Sequence, residues 1–304
     1  MVIVDICRVL VSVILLTNSE TAYELFSIGN NLELEGNVVE AITYYQRVME
    51  LAPENPEIYT TLANALYKLR KFDRGIAIAK QGLALFPKEL TIYNTLAIGN
   101  IGKGDLRMAI KYYEQALNLA PENIDIYNSL SILYEGIQDF KTATDILLVM
   151  PDTLKTPDTY VRLGSIAGKT NDHHAAIEYY RQGYALDTTD ITALIGIGTG
   201  FDMLNVKDSA IYYYKRTLKH DSLVLTVGKR LIDLYSDTDQ YNALIQMAHT
   251  VLKLDHFDSH VRRSLGYAFY KTGELDQALD EFLIASRLDP VDTYSRFYTA
   301  KILL

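Results

Sequence analysis

Apolar positions recur at intervals of three and four along most of the chain, in stretches separated by short polar turns. That spacing places them on one face of a helix, so the pattern predicts successive amphipathic helices. Gly36-Asn37, Gly104-Asp105, Asn171-Asp172 and Gly273-Glu274 supply turn chemistry between stretches. Pro53, Pro87, Pro121 and Pro290 close alternate stretches, because proline has no N–H with which to continue the helical ladder. No alternating strand-like run competes. The pattern predicts an all-α protein.

The helices repeat in pairs. EAITYYQRVMELAPEN (40–55), MAIKYYEQALNLAPEN (108–123), AAIEYYRQGYALD (175–187) and SAIYYYKRTLKHD (209–221) are near-copies, and Pro53, Pro87 and Pro121 are spaced by 34 and 34. Counting from Ala22 gives eight units over 22–292: 22–55, 56–89, 90–123, 124–156, 157–190, 191–224, 225–258 and 259–292. Position seven is aliphatic in all eight, from Ile28 to Leu265. Position eight (Gly29, Ala63, Ala97, Ser131, Gly164, Gly198, Gly266) and position twenty (Ala41, Gly75, Ala109, Ala143, Ala176, Ala210, Ala278) are small in seven units each. Two antiparallel helices approach closely only where small residues face each other, and large neighbours then fill the grooves beside them. Tyr45, Tyr113, Tyr180 and Tyr214, with Tyr59, Tyr93, Tyr127 and Tyr160, are therefore read first as packing residues.

This pattern resembles the tetratricopeptide repeat (TPR) family. The resemblance implies a right-handed α-solenoid of antiparallel helix pairs, the TPR superhelix, in which each repeat contacts only its neighbours. Two repeats depart from the pattern. The fourth breaks at Val149-Met150-Pro151, which predicts a short second helix and a loop near 151–157. The seventh places Ile232 and Leu244 at both small positions, which predicts separated helices or a shifted crossing.

The termini lie outside the frame. In residues 1–19, Arg8 precedes an apolar core from Val9 to Leu16, followed by the small Thr17 and Ser19. This resembles a secretory signal cleaved after Ser19, although Asp5 weakens its positive start. The other readings are an apolar helix packed on the first repeat and a retained anchor. Location follows the choice: extracytoplasmic (periplasmic or secreted) with a signal, cytoplasmic otherwise. Residues 293–304, TYSRFYTAKILL, read as one more helix, a cap or a truncated unit, with an apolar outer face that points to self-association.

Composition narrows the chemistry. Lys and Arg number 29 against 38 Asp and Glu, a net charge of −9, which argues against nucleic acid as a partner. The single cysteine, Cys7, excludes a disulfide framework and a thiolate metal cage. Gly196-Ile197-Gly198-Thr199-Gly200 lacks the strand and the Ser/Lys partners of a phosphate loop, so its glycines are read as helix packing. Gly164-Ser165-Ile166-Ala167-Gly168 lacks the spacing of a nucleophile elbow. His249, His256 and His260, near Asp255 and Asp258, are read as solvated loop residues rather than a metal site. No catalytic set, metal site or cofactor is expected.

The TPR resemblance places the binding groove on the first helix of each repeat, at positions two, five, nine, twelve and thirteen. The implied peptide-binding residues are Phe26, Asn30, Asn64, Tyr67, Lys68, Asn94 and Asn128. The four asparagines, in successive repeats, offer carboxamides that both donate to and accept from an extended backbone. The carboxylate clamp of chaperone-binding TPR domains is not matched, because Thr60 stands at its lysine position and no later repeat supplies its Lys/Arg pair. Lys229, Arg230, Arg262, Arg263 and Lys271 concentrate positive charge and form a candidate acidic-ligand patch, with Lys229 and Arg263 at equivalent positions.

The leading functional expectation is a non-catalytic scaffold that holds a protein or extended peptide, in an envelope or secretion assembly. The alternatives are a recruiting solenoid of a larger enzyme such as a glycosyltransferase, and a structural oligomer joined through terminal helices.

Overall fold

The computed structural model describes residues 21–221 and 225–304. The signal-like segment 1–19 lies outside them. The described residues form helices joined by short turns, and no helix among them is long and apolar enough to cross a membrane. The chain divides into two compact units, one ending at Leu154 and the other beginning at Lys155.

In the first unit, residues 21–34 (α1) pair with α2 (Val38–Leu51), α3 (Pro56–Lys68) with α4 (Phe72–Leu85), α5 (Leu90–Lys103) with α6 (Leu106–Leu119), and α7 (Ile124–Gly136) with α8 (Phe140–Leu148). In the second, α9 (Pro157–Lys169) pairs with α10 (His173–Leu186), α11 (Ile191–Met203) with α12 (Lys207–His220), α13 (Leu225–Asp237) with α14 (Tyr241–Leu254), and α15 (Ser259–Thr272) with α16 (Leu275–Leu288). A last helix, α17 (Thr293–Leu303), packs on α16 and α15. Each unit is a stack of helical hairpins, the α-solenoid arrangement.

Every hairpin closes in the same way. Gly36, Arg70, Gly104, Gln138, Asn171, Asn205, Asp239 and Gly273 all have positive φ, from 56° to 87°. They recur every 34 residues, except for 33 between Gln138 and Asn171. The amide of each following residue bonds back to a carbonyl five positions earlier at 2.7–2.9 Å, from Asn37 to Leu32 through Glu274 to Phe269. This closure satisfies carbonyls left open at the helix end and needs one left-handed residue. Only three of the eight are glycine.

The core follows the aliphatic seventh position in repeats two to eight. Leu62, Leu96 and Leu130 are fully buried in the first unit, as are Leu163, Ile197, Leu231 and Leu265 in the second. Gly198 shows why its position stays small: a Cβ there would stand 2.7 Å from the Tyr214 ring. Neighbouring hairpins are also tied through the breaker prolines. The hydroxyls of Tyr59, Tyr93 and Tyr127 donate to the carbonyls of Pro53, Pro87 and Pro121 at 3.1, 2.8 and 3.0 Å.

Both irregular repeats show in the structure. α8 has nine residues where α6 has 14, and it is followed by a 3-10 turn over Asp152–Leu154. In the seventh repeat Ile232 and Leu244 are fully buried, and close approach occurs one turn earlier, where a Cβ on Gly228 would stand 2.8 Å from Val251. At the C-terminal end, Tyr298 stacks on Phe282 with centroids 5.4 Å apart, while Phe297, Leu303 and Leu304 remain exposed.

Candidate functional site

Four first helices, α1, α3, α5 and α7, carry the candidate residues of the first unit. Phe26 packs against Tyr45, with ring centroids 5.7 Å apart. The Tyr45 hydroxyl lies 2.8 Å from Asn30 Oδ1 and 2.7 Å from Glu33 Oε2. Lys68 pairs with the same Glu33 at 2.7 Å. On α5, the Tyr113 hydroxyl donates to Asn94 Oδ1 at 2.7 Å. Asn64 is exposed and Asn128 half-buried.

The structure thus gives the second-helix tyrosines a role beyond packing. Each lies under its first helix and sends its hydroxyl up to a polar side chain there. Burial, with help from Glu33, pushes the Tyr45 hydroxyl well above its usual pKa. Burial raises Tyr113 likewise, against the opposing Ser129 hydrogen bond. Both hydroxyls therefore remain protonated donors at neutral pH. The Tyr113 proton fixes the Asn94 oxygen as acceptor and leaves its carboxamide N–H groups for another partner, whereas the single Tyr45 proton is shared between Asn30 and the Glu33 carboxylate. In the second unit the Tyr214 hydroxyl lies 3.2 Å from Thr199 Oγ1.

Two clefts open along the first-unit residues. One of about 500 Å³ is bordered by Tyr23, Phe26, Asn30, Asn55 and Glu57. Another of about 210 Å³ is bordered by Thr91, Asn94, Tyr113, Asp125 and Ser129. Ile98, Ile101 and Ile132 are exposed at 42%, 40% and 51%. They occupy the same repeat positions, nine and twelve, that yielded Asn30, Asn64 and Tyr67, and a search for polar groups alone passes them over.

Tyr67 requires a correction. It is buried, and its hydroxyl has no hydrogen-bond partner. Gly99 explains this: a Cβ there would lie 2.3 Å from the Tyr67 hydroxyl, so the glycine lets the tyrosine lie down between repeats. It is a core residue, not a surface contact.

The acidic-ligand patch is corrected as well, because internal carboxylates take up four of its five charges. Lys229 pairs with Asp258 and, at 3.0 Å, with Asp255. Arg230 holds Asp202 through two bonds of 2.5 and 2.7 Å. Arg262 grips both oxygens of Glu281 at 3.1 and 2.9 Å. Arg263 faces Asp292 at 3.7 Å and lies over Tyr294. Lys271 lies near the rings of Tyr241 and Tyr267. Lys229 and Arg263 each reach an aspartate 29 residues on, and Asp258 and Asp292 cap the next first helices, α15 and α17. Arg230 thus fastens the seventh repeat to the sixth, Lys229 and Arg263 hold the caps of the following first helices, and Arg262 joins the two helices of its own hairpin.

The other chemical motifs are absorbed by packing or turns. In α11, Gly196 and Gly198 face the Tyr180 and Tyr214 rings and Gly200 faces Ile177. His256 precedes α15 and His260 lies within it, so they do not share a helical face. His260 instead lies 3.3 Å from Asp233. Among the described residues no group of three or more His, Cys, Asp or Glu side chains is arranged to hold a metal.

Models of the tetratricopeptide repeat match residues 32–97, 90–123 and 157–190. These segments are tetratricopeptide repeats. TPR arrays are typically non-catalytic, and the repeats mark this chain as a protein-interaction scaffold. Among solved structures, one chain of the APC/C hetero-tetramer Cut9-Hcn1 is similar at 15% identity and a TM-score of 0.45, over 92% of this chain and 55% of that one. The chain therefore spans about half the length of that structure. The MamA protein is similar at 20% identity and a TM-score of 0.39, over 67% of this chain and 93% of that one. No curated protein matches the sequence.

Proposed function

We propose that the chain is a non-catalytic scaffold whose first unit holds an extended segment of a partner protein along α1, α3, α5 and α7. The observation that carries this reading is the series Asn30, Asn64, Asn94 and Asn128, one on each successive first helix, beside the exposed Ile98, Ile101 and Ile132. Carboxamides serve a peptide backbone of any sequence, and the isoleucines supply apolar area that favours aliphatic side chains. Two of the four amides are already oriented by Tyr45 and Tyr113, which lowers the cost of ordering them on binding.

The test uses peptides selected from a random display library on the full chain. Replacing all four asparagines by alanine should weaken the selected peptides by two to three decades, at about 1 kcal/mol per lost hydrogen bond, with helicity unchanged. Unchanged affinity would refute the reading. Loss of helicity would assign the asparagines to the fold.

A further inference from the structure

A second group of cations in the second unit lies on α10 and α12. Arg181, on α10, lies 5.4 Å from the centroid of the Phe201 ring. Arg216, on α12, lies 5.1 Å from the Tyr184 ring and 5.8 Å from the Tyr212 ring, and its Nη2 donates to the Tyr184 hydroxyl at 2.7 Å. The rings connect the two arginines: Phe201 stacks on Tyr213 at 5.6 Å, and Tyr213 meets Tyr212 edge-on at 5.1 Å. Lys215 and Lys219, exposed and four residues apart, extend the stripe along α12. Tyr212 is itself 56% exposed.

We propose that this surface of α10 and α12 binds an acidic segment of a partner protein. The argument is charge complementarity on an otherwise acidic molecule. The chain carries −9 overall, yet α12 holds Lys207, Lys215, Arg216 and Lys219 against one acid, Asp208. Lys207 is paired with Asp237 at 3.1 Å. The nearby acids of α10 and its C-terminal cap are engaged locally, Glu178 with Gln182 and Asp187 with Thr189. Among the described residues no carboxylate forms an ion pair with Arg181, Lys215, Arg216 or Lys219.

Stacking on a ring restrains a guanidinium without neutralising it, and leaves in-plane N–H donors able to take a carboxylate in bidentate fashion. The arginines are thus ordered before any partner arrives, which reduces the entropy lost on binding. The same negative charge that repels a long polyanion acts only weakly on a short acidic segment at this local excess of cations. This surface is separate from the asparagine series of the first unit, and neither reading depends on the other.

The experiment measures fluorescence anisotropy of a labelled short oligoglutamate peptide with the full chain, alongside a single-stranded oligonucleotide of equal charge. The peptide should bind, weaken as salt rises, and outcompete the oligonucleotide. The triple variant Lys215→Gln, Arg216→Gln, Lys219→Gln should lose about tenfold or more in affinity. The control variant Lys80→Gln, Lys111→Gln, Lys253→Gln changes net charge equally and should retain binding. Lys215→Gln with Lys219→Gln alone touches only exposed side chains, so it reads the surface should Arg216 prove necessary for folding. No peptide binding, equal loss in the control, or tighter binding of the oligonucleotide would overturn the proposal.

Discussion

The Tyr113 hydroxyl, carried by α6, lies 2.7 Å from the carboxamide oxygen of Asn94 on α5. A residue whose sequence position marks it as packing therefore also sets the orientation of a surface amide. The same construction joins Tyr45 to Asn30 and Tyr214 to Thr199. Replacing Tyr113 by Phe keeps the ring and removes the hydroxyl that bonds Asn94 and meets Ser129. Stability measured by urea unfolding should fall by about 1 kcal/mol. Affinity for display-selected peptides should fall as well if Asn94 must be held. A loss of stability with unchanged affinity would confine the bond to a structural role.

Two helical glycines should respond in opposite directions to alanine. Gly168, near the end of α9, has open space around it, with nothing within 4 Å of where a Cβ would stand. Gly168→Ala should therefore stabilise by about 0.5 kcal/mol through the lower entropy of the unfolded chain. A Cβ on Gly196, within α11, would stand 2.5 Å from the Tyr180 ring, and Gly196→Ala should cost about 1–3 kcal/mol of overpacking. Thermal unfolding of the two single variants makes the comparison.

Asp258 caps α15 through the Val261 amide and pairs with Lys229. Burial raises its carboxyl pKa, but the Lys229 hydrogen bond and the Val261 amide outweigh it and hold the group below its ordinary value. A carboxyl depressed in the folded state contributes stability that is fully present above the unfolded value of about 4 and is lost as pH falls through the folded value. Asp258→Ala should therefore cost about 1 kcal/mol at neutral pH. The difference from the unmodified chain should shrink as unfolding is repeated below about pH 4.

Arg230→Gln should be more costly than neutralising an ordinary surface cation. It leaves Asp202, whose side chain is only 5% exposed, without its bidentate partner. A loss of about 1–3 kcal/mol is expected, against a few tenths for Lys253→Gln. Calorimetry on both variants reads the contrast directly.

The helices and their pairing were legible because a small set of positions recurs in phase, and close packing leaves little choice at those positions. The ion pairs were not. Counting Lys229, Arg230, Arg262 and Arg263 along their own helices shows an excess of charge, yet Asp258, Asp292, Asp202 and Glu281 come from other helices. Tyr67 was misplaced for a related reason. Position alone put it on the surface, whereas the glycine that makes room for it, Gly99, belongs to the next repeat. Ile98, Ile101 and Ile132 were visible at surface positions, but attention to polar chemistry hid them.

The uniform left-handed turn has a consequence for how length can change in this chain. The interval between these turns shortens only between Gln138 and Asn171, where α8 is short and a longer connection precedes α9. The missing residue was thus absorbed in the passage from one hairpin to the next, while the hairpin closure itself kept its geometry. That passage is the place for an inserted epitope or fluorophore-bearing peptide, around Pro151–Lys155. The same insert beside Arg70 or Asn205 would break a closure whose backbone bond fixes the register of two helices.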